Sequence, residues 1–381
     1  MNLPLIGLII RQERLKRNWS QEGLCKGLCA VSYLCKIEQG QANASPEMLH
    51  ALFERLNIQW LRDEKHLAAI STLIANGYEA FFAFDEAEAD SVQEQLVAIY
   101  EDALNSPYRL DVLLLSKKEI AEEYFPIMNL EQKTLWLLTK ERYDEALNIN
   151  PCAVCYVAVG DMAYAKGDYV QAVTHLQHAY DLAARDGLVH LMAQCACSLG
   201  NCYSNMLSFD AMAAHYKVAN RLAKATKNEE LLHSLAYNTA ATQLELGQVQ
   251  QAYDYFSIQE NPTTNVLHKL AVCCEKLGKA QEAYAALAQV DTAPFAYPDK
   301  PFWLKVCEPV RYRLDHSDYL KHEEYGAMLL SCFHYIRENL PSGYASFHLP
   351  WVLEWFKATR QYKQAYELLL DFPSFGSLAN S

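Results

Sequence analysis

The chain has 381 residues and a formal charge of −13, with 33 Lys and Arg against 46 Asp and Glu. That balance argues against a general nucleic-acid coat and against a protein lying on an anionic membrane surface. The length allows two or three domains, no apolar run is long enough to span a bilayer, and no secretory signal is expected. The charge is uneven: residues 1–60 hold seven Lys and Arg against five Asp and Glu, so this stretch alone is suited to approach a polyphosphate. Twelve cysteines in a large, helical, signal-free chain point to reduced thiols in the cytoplasm rather than disulfides. Cys152 and Cys155 form one isolated C-x-x-C, and Cys195, Cys197 and Cys202 cluster nearby. A metal would need a second ligand pair at proper spacing, so these are read as small apolar residues packed between helices, and no metal or cofactor is expected.

The first helix is expected from about Pro4 to Arg17, with Leu5, Leu8, Ile9 and Leu15 toward a core. Ser20 is a good N-cap for a second helix with Glu22 in its first turn and Leu24 and Leu28 on one face. A tight turn through Cys29 and Ala30 leads to a third helix, with Ser32 at its start, Leu34 and Ile37 inward, and Gly40 closing it. Ser45-Pro46-Glu47 opens a fourth, with the cap at Ser45 and the proline at the first helical position. Two short helices joined by a tight turn, the second polar on its outer side, make a helix-turn-helix. On that helix the outward positions are Val31, Ser32, Tyr33 and Lys36, although Tyr33 fits a half-buried aromatic equally well.

The run SQEGLCKGLCAVSYLCKIEQG resembles the Xre/Cro type of DNA-binding domain. There a Ser-Gln pair opens helix two, and Ile-Glu-x-Gly ends the recognition helix. The resemblance implies that Val31, Ser32 and Tyr33 meet base edges and that Lys36 meets guanine or phosphate. It implies that Gln21 anchors helix two to the nucleic-acid backbone, and Gln41 and Asn43 add phosphate contacts beside Gln39. It also implies that Arg14 packs against Glu38, a structural pair locking the third helix onto the first.

A further helix is expected from Ile58 to about Asn76, linking this head (1–57) to the rest without a Gly/Ser/Pro-rich tether. From Gly77 to the C-terminus the chain reads as helix after helix with an internal repeat. Gly160 and Gly200 lie forty apart, as do Ala172, Met212 and Ala252. Gly167, Gly247 and Gly278 mark turns within helix pairs, Tyr169 and Phe209 take the aromatic site that follows, and Ala179 and Ala219 close the second helices. Weaker units carry ERYDEAL (141–147), KLGKAQEAYAAL and RQYKQAYELL. A proline-rich loop is expected at Asp291–Pro301. The pattern resembles the tetratricopeptide repeat, with a spacing longer than the usual 34. The fold class is therefore all-α: an N-terminal Xre-type bundle followed by a right-handed α-solenoid of helix pairs, five or six of them after residue ~120.

Candidate residues for the concave face are Asp161, Lys166, Gln194, Asn201, Ser204, Asn205, Tyr237, Asn238, Glu245, Asn265, His268, Glu275 and Lys276. Paired amides can donate to and accept from an extended peptide, and charged neighbours can read its ends. The two halves together resemble the RRNPP peptide-pheromone regulators, in which the PlcR, NprR, PrgX and Rgg groups carry this head. That resemblance implies a cytoplasmic homodimer, no membrane association, a double-stranded DNA operator, and a short signalling peptide in the groove that changes DNA affinity. Its peptide-clamping asparagines map onto Asn201, Asn205 and Asn238. Two alternatives stay open: an array that sequesters a partner protein such as a response regulator, and an array that only dimerises. No phosphate-binding glycine loop, H-E-x-x-H or nucleophile motif is present, so no enzyme is expected.

Overall fold

The computed structural model describes residues 3–61, 63–294, 300–340 and 342–370. Every regular element among them is helical, and the contacts divide the chain into two compact units, Met1–Ala158 and Val159–Ser381. No helix of the described residues is long and apolar enough to cross a membrane.

The first unit contains α1 (Leu3–Lys16), α2 (Gln21–Cys25), α3 (Val31–Glu38), α4 (Pro46–Arg55), α5 (Glu64–Ala83), α6 (Glu86–Ala98), α7 (Tyr100–Leu104), α8 (Arg109–Leu115), α9 (Leu130–Thr139) and α10 (Tyr143–Ile149). Ser20 caps α2 by accepting from the Gly23 amide at 3.0 Å, and Ser45 caps α4 by accepting from Met48 at 3.3 Å. α2 is shorter than the sequence suggested, because Gly27 turns left-handed (φ +73°) and puts Leu28 in the turn. Ser32 stands in the first turn of α3 as expected, and Ala30 takes the cap position with no side-chain bond. The helix expected from Ile58 starts only at Glu64, where Asp63 caps it, and runs on to Ala83. Ahead of it, Trp60 stacks on Phe53 at 4.8 Å and the Leu61 amide donates to Asn105 at 2.8 Å, which holds this strip out of helix. Arg62 lies outside the described residues.

One apolar core runs without interruption from Leu5 through Phe53, Ile70 and Leu96 to Trp136. Gln12 of α1 hydrogen-bonds Glu123 and Tyr124 of a 3-10 helix at Glu122–Ile127. The head is thus fastened to the helices that follow it. Deeper in, buried Asp111 accepts from Tyr78 at 3.0 Å and Gln132 at 2.6 Å. Cys152 and Cys155 have their sulfurs 3.6 Å apart. Their shared hydrogen bond lowers the Cys152 thiol's pKa to about 6 against burial, which pushes it up, and it raises that of Cys155, where burial acts in the same direction.

α11 (Ala153–Ala165) contains the border between the units. The second unit continues with α12 (Tyr169–Asp186), α13 (Val189–Asn205), α14 (Phe209–Thr226), α15 (Glu229–Glu245), α16 (Val249–Phe256), α17 (Thr264–Lys276), α18 (Ala280–Gln289), α19 (Lys300–Asp315), α20 (Glu323–Asn339), α21 (Ser342–Ala358) and α22 (Tyr362–Leu370). Each packs on the next from α12 onward, the nearest-neighbour order of a helical solenoid. Of the expected loop at Asp291–Pro301, residues 291–294 lie outside helix, 295–299 fall outside the described residues, and α19 already begins at Lys300.

Left-handed residues make the turns within pairs: Gly167, Gly247 and Gly278, but also Leu207 (φ +58°) and Arg360 (φ +58°). The forty-residue glycines do a different task. A β-carbon on Gly160 would meet Leu176 at 2.9 Å, and one on Gly200 would meet the Tyr216 ring at 2.3 Å. Each marks where the two helices of a pair come closest. Tyr216 cannot swing aside without leaving a core in which it is 7% exposed. Gly200→Ala should therefore destabilise the second unit by about 1–3 kcal/mol, the range for overpacking, read as a lower denaturant midpoint with unchanged helical circular dichroism.

Candidate nucleic-acid interface and groove

In the head, the inward residues of α3 are Leu34 (0% exposed) and Ile37 (2%). Val31, Ser32 and Lys36 are exposed, as are Gln41 and Asn43 just beyond. Tyr33 is half-buried, and its hydroxyl donates to the Asn43 carbonyl at 3.4 Å, so its ring packs more than it projects. Arg14 and Glu38 make a bidentate pair, Nε to Oε1 at 2.6 Å and Nη2 to Oε2 at 2.9 Å, both almost fully buried. Arg14 also donates to the Trp19 carbonyl, and Gln21 donates to Glu38 at 2.8 Å. Gln21 therefore already spends one amide proton inside the fold, orienting α2 against the end of α3. A β-carbon on Gly7 would sit 2.1 Å from the Ile37 carbonyl oxygen, so α1 lies directly against that end.

In the second unit, three adjoining hollows share lining residues. The middle one is a cavity of about 250 Å³ lined by Tyr164, Asn201, Asn205, Tyr237, Asn238, Glu245, Asn265, His268, Lys269, Trp303, Tyr344, Phe347 and His348. On one side it adjoins a hollow with Gln194, Asn201, Tyr237, Asn238 and Asn265. On the other lies one with Asn205, Glu245, Lys276 and Trp351. Asp161 and Lys166 line none of the three. Asp161 is exposed and hydrogen-bonds Ser198, and the protein surrounding it on this face raises its carboxyl pKa to about 6. Glu275 belongs to a bidentate pair with Arg313, 2.6 and 2.7 Å, which removes it as a free groove charge.

The asparagines are joined to one another. Asn201 Oδ1 accepts from Tyr216 at 2.6 Å and from Asn238 Nδ2 at 3.0 Å. Asn205 Nδ2 donates to Tyr164 at 3.0 Å and to the Asn201 carbonyl at 2.9 Å. This ladder crosses α11, α13, α14 and α15, and Tyr237 and Asn265 line the same cavity.

Sequence reading missed the far wall. Trp303 comes from α19, and Tyr344, Phe347 and His348 from α21, which faces α13 closely enough that a β-carbon on Gly343 would lie 3.0 Å from Asn205 Oδ1. It also missed Lys269, whose Nζ sits 2.7 Å above the Phe347 ring centre. Burial lowers this amine to about 7, with Glu245 acting the other way, while burial raises the Glu245 carboxyl. Among the described residues, no group of three His, Cys, Asp or Glu could hold a metal ion.

Residues 10–61 match the family described as helix-turn-helix, HTH_3. This segment is a helix-turn-helix domain. Over 254 residues the chain is 22% identical to the transcriptional activator NprA of Geobacillus stearothermophilus, covering 56% of this chain and 62% of that one. The chain thus spans about three-fifths of this relative's length. Among solved structures, Bacillus thuringiensis PlcR in complex with the peptide PapR7 and DNA aligns at TM-score 0.33 and 11% identity, over 60% of this chain and 98% of that one. Streptococcus dysgalactiae Rgg2, an SHP pheromone receptor, aligns at 0.25 and 14%, over 74% and 98%.

Two outcomes follow for these side chains. Glu38→Ala strands a buried guanidinium and should cost about 3–5 kcal/mol, seen as accelerated amide hydrogen exchange across α1–α3. Unfolded, Lys269 keeps its proton to about pH 10.4; folded, only to about 7. Folding therefore expels a proton in between, and this residue's contribution to stability rises as pH climbs through that interval. Lys269→Met should raise the thermal midpoint at pH 7 and below, with a gain that shrinks toward pH 10. A lower midpoint at pH 7 would contradict the assignment.

Proposed function

We infer that the chain is a DNA-binding transcriptional regulator, a cytoplasmic homodimer whose DNA affinity is set by a short signalling peptide in the groove of its second unit. The observation that carries this reading is the aim of α3. Its inner face and its end are locked by Leu34, Ile37 and the Arg14–Glu38 pair, while Val31, Ser32 and Lys36 are left to solvent. Base edges are met at the first turns of such a helix, and Lys36 one turn on suits a guanine or a phosphate. A single head reads only two or three bases, so two heads on a two-part operator are expected. Gln41 and Asn43 supply phosphate contacts. The relationship to a transcriptional activator supports the same reading.

For the groove, Gln194, Asn201, Asn205, Tyr237, Asn238, Glu245 and His268 are the assigned contacts. Asp161 and Lys166 stand outside the hollows and fit that role less well. The peptide must favour one arrangement of the array over another, since equal affinity for both shifts nothing. The internal bonds of Asn201 and Asn205 favour a second reading, in which these amides brace an array that only dimerises. The two part on Asn238→Ala, which should weaken peptide response with little loss of stability in the first reading and weaken stability alone in the second.

DNA recognition is tested by selecting genomic fragments on the immobilised full chain and footprinting the retained sites. Lys36→Ala should weaken operator binding about tenfold, within the range for one good contact. If Lys36 meets a phosphate, the slope of log K against log salt should become shallower by about one. Unchanged affinity and slope, or no protected site, would remove α3 as the reader.

A further inference from the structure

The cavity at the centre of the groove holds polar atoms that the fold leaves unused. Both ring nitrogens of His268 and Nε2 of His348 are buried without a hydrogen-bond partner among the described residues. Buried polar atoms are almost always paired, so three orphans around one cavity ask for a cause. His348 Nδ1 lies 2.8 Å from the Tyr344 carbonyl, which can only accept, so Nδ1 carries the proton. Burial holds this ring neutral, its pKa lowered to about 3. Nε2 therefore presents a lone pair. Neutral His268 presents one N–H and one lone pair. Beside them Lys269 is buried, with no carboxylate within 4.0 Å of its Nζ among the described residues. Glu245, lining the same hollow, is the acidic group that faces it, and Arg313 adds positive potential. Trp303 and Phe347 flank His268 at 5.8 and 6.0 Å and supply apolar walls.

A cation, an N–H donor and two lone pairs around one space complement a carboxylate attached to a residue that also offers an N–H. We propose that this cavity is an anchor subsite for one carboxylate-bearing residue of a bound peptide, with the carboxylate on Lys269 and His268 and a backbone N–H on His348. The carboxylate can be the peptide's C-terminus or an Asp or Glu side chain. At about 250 Å³ the space is smaller than a whole-ligand pocket of ~300–1,000 Å³, so it takes one end or one residue and leaves the rest of the peptide to the two adjoining hollows. The anchor accounts for a costly feature: an ammonium kept in the interior against an aromatic ring but without a close carboxylate is retained where a ligand completes the ion pair. This inference rests on the peptide-groove reading above.

The test uses the full chain and three mixed-sequence heptapeptide libraries: free carboxyl ends, C-terminal amides, and amides made without Asp or Glu. Retained peptides are identified by mass spectrometry. The wild type should retain carboxylate-bearing peptides at least tenfold over the acid-free amides. Enrichment of the free-end library over both amide libraries assigns the chain terminus, and enrichment of acidic amides assigns the side chain. Lys269→Met should lose the preference while still retaining neutral peptides, and His268→Phe should reduce it. Equal retention of all three libraries by the wild type would overturn the anchor and leave the groove reading standing. Retention of none would overturn both.

Discussion

Both units depend on helices that approach more closely than any side chain would allow. In the head, Gly7 rests against the backbone at the end of α3, with no room for a β-carbon beside the Ile37 carbonyl. In the second unit, Gly160 receives Leu176, Gly200 receives the Tyr216 ring, and Gly326 receives the Trp355 indole at 2.1 Å from a would-be β-carbon. Dense packing of this kind makes position rigid, because interiors near crystal density transmit displacement rather than absorb it. The exposed face of α3 can be aimed only because α1 is seated on its end. The ladder of amides and phenols can span four helices only because pairs of helices sit tightly enough for short side chains to reach.

Much of this was legible in the chain. Caps at Ser20 and Ser45 and the paired Arg14 and Glu38 are local or motif-borne signals, and the structure contains each of these contacts. Turn glycines at 167, 247 and 278 announce left-handed backbone. Leu207 takes the same conformation with no glycine to mark it, so the third hairpin is visible only through its forty-residue spacing. The far wall of the groove was not legible for a different reason. α21 reaches α13 across more than a hundred residues of sequence and α17 across more than sixty, and no local periodicity encodes which helix faces which. Lys269 sits in the run KLAVCC, where a helix-spacing argument has no means of telling a snorkelling surface lysine from one folded inward over Phe347.

The asparagine ladder changes how affinity for an extended ligand should be thought of. Asn201 Oδ1 and Asn205 Nδ2 are already engaged inside the fold. A peptide that takes up either of these atoms must exchange one hydrogen bond for another, and such exchanges are nearly neutral in free energy. Net affinity must then come from groups that are unsatisfied beforehand and from apolar area removed from water. The central cavity has both, with orphaned imidazole nitrogens beside Trp303 and Phe347.

The last described helix, α22, has no buried residue; it docks through half-buried Ala365, Leu368 and Leu369, while Tyr362 and Tyr366 stand largely in solvent. Among the described helices it buries far less of itself than α17 or α20, and sparse burial is where native structure opens most readily. The helix it packs on is α21, which carries His348, so loosening of α22 bears first on the far wall of the groove.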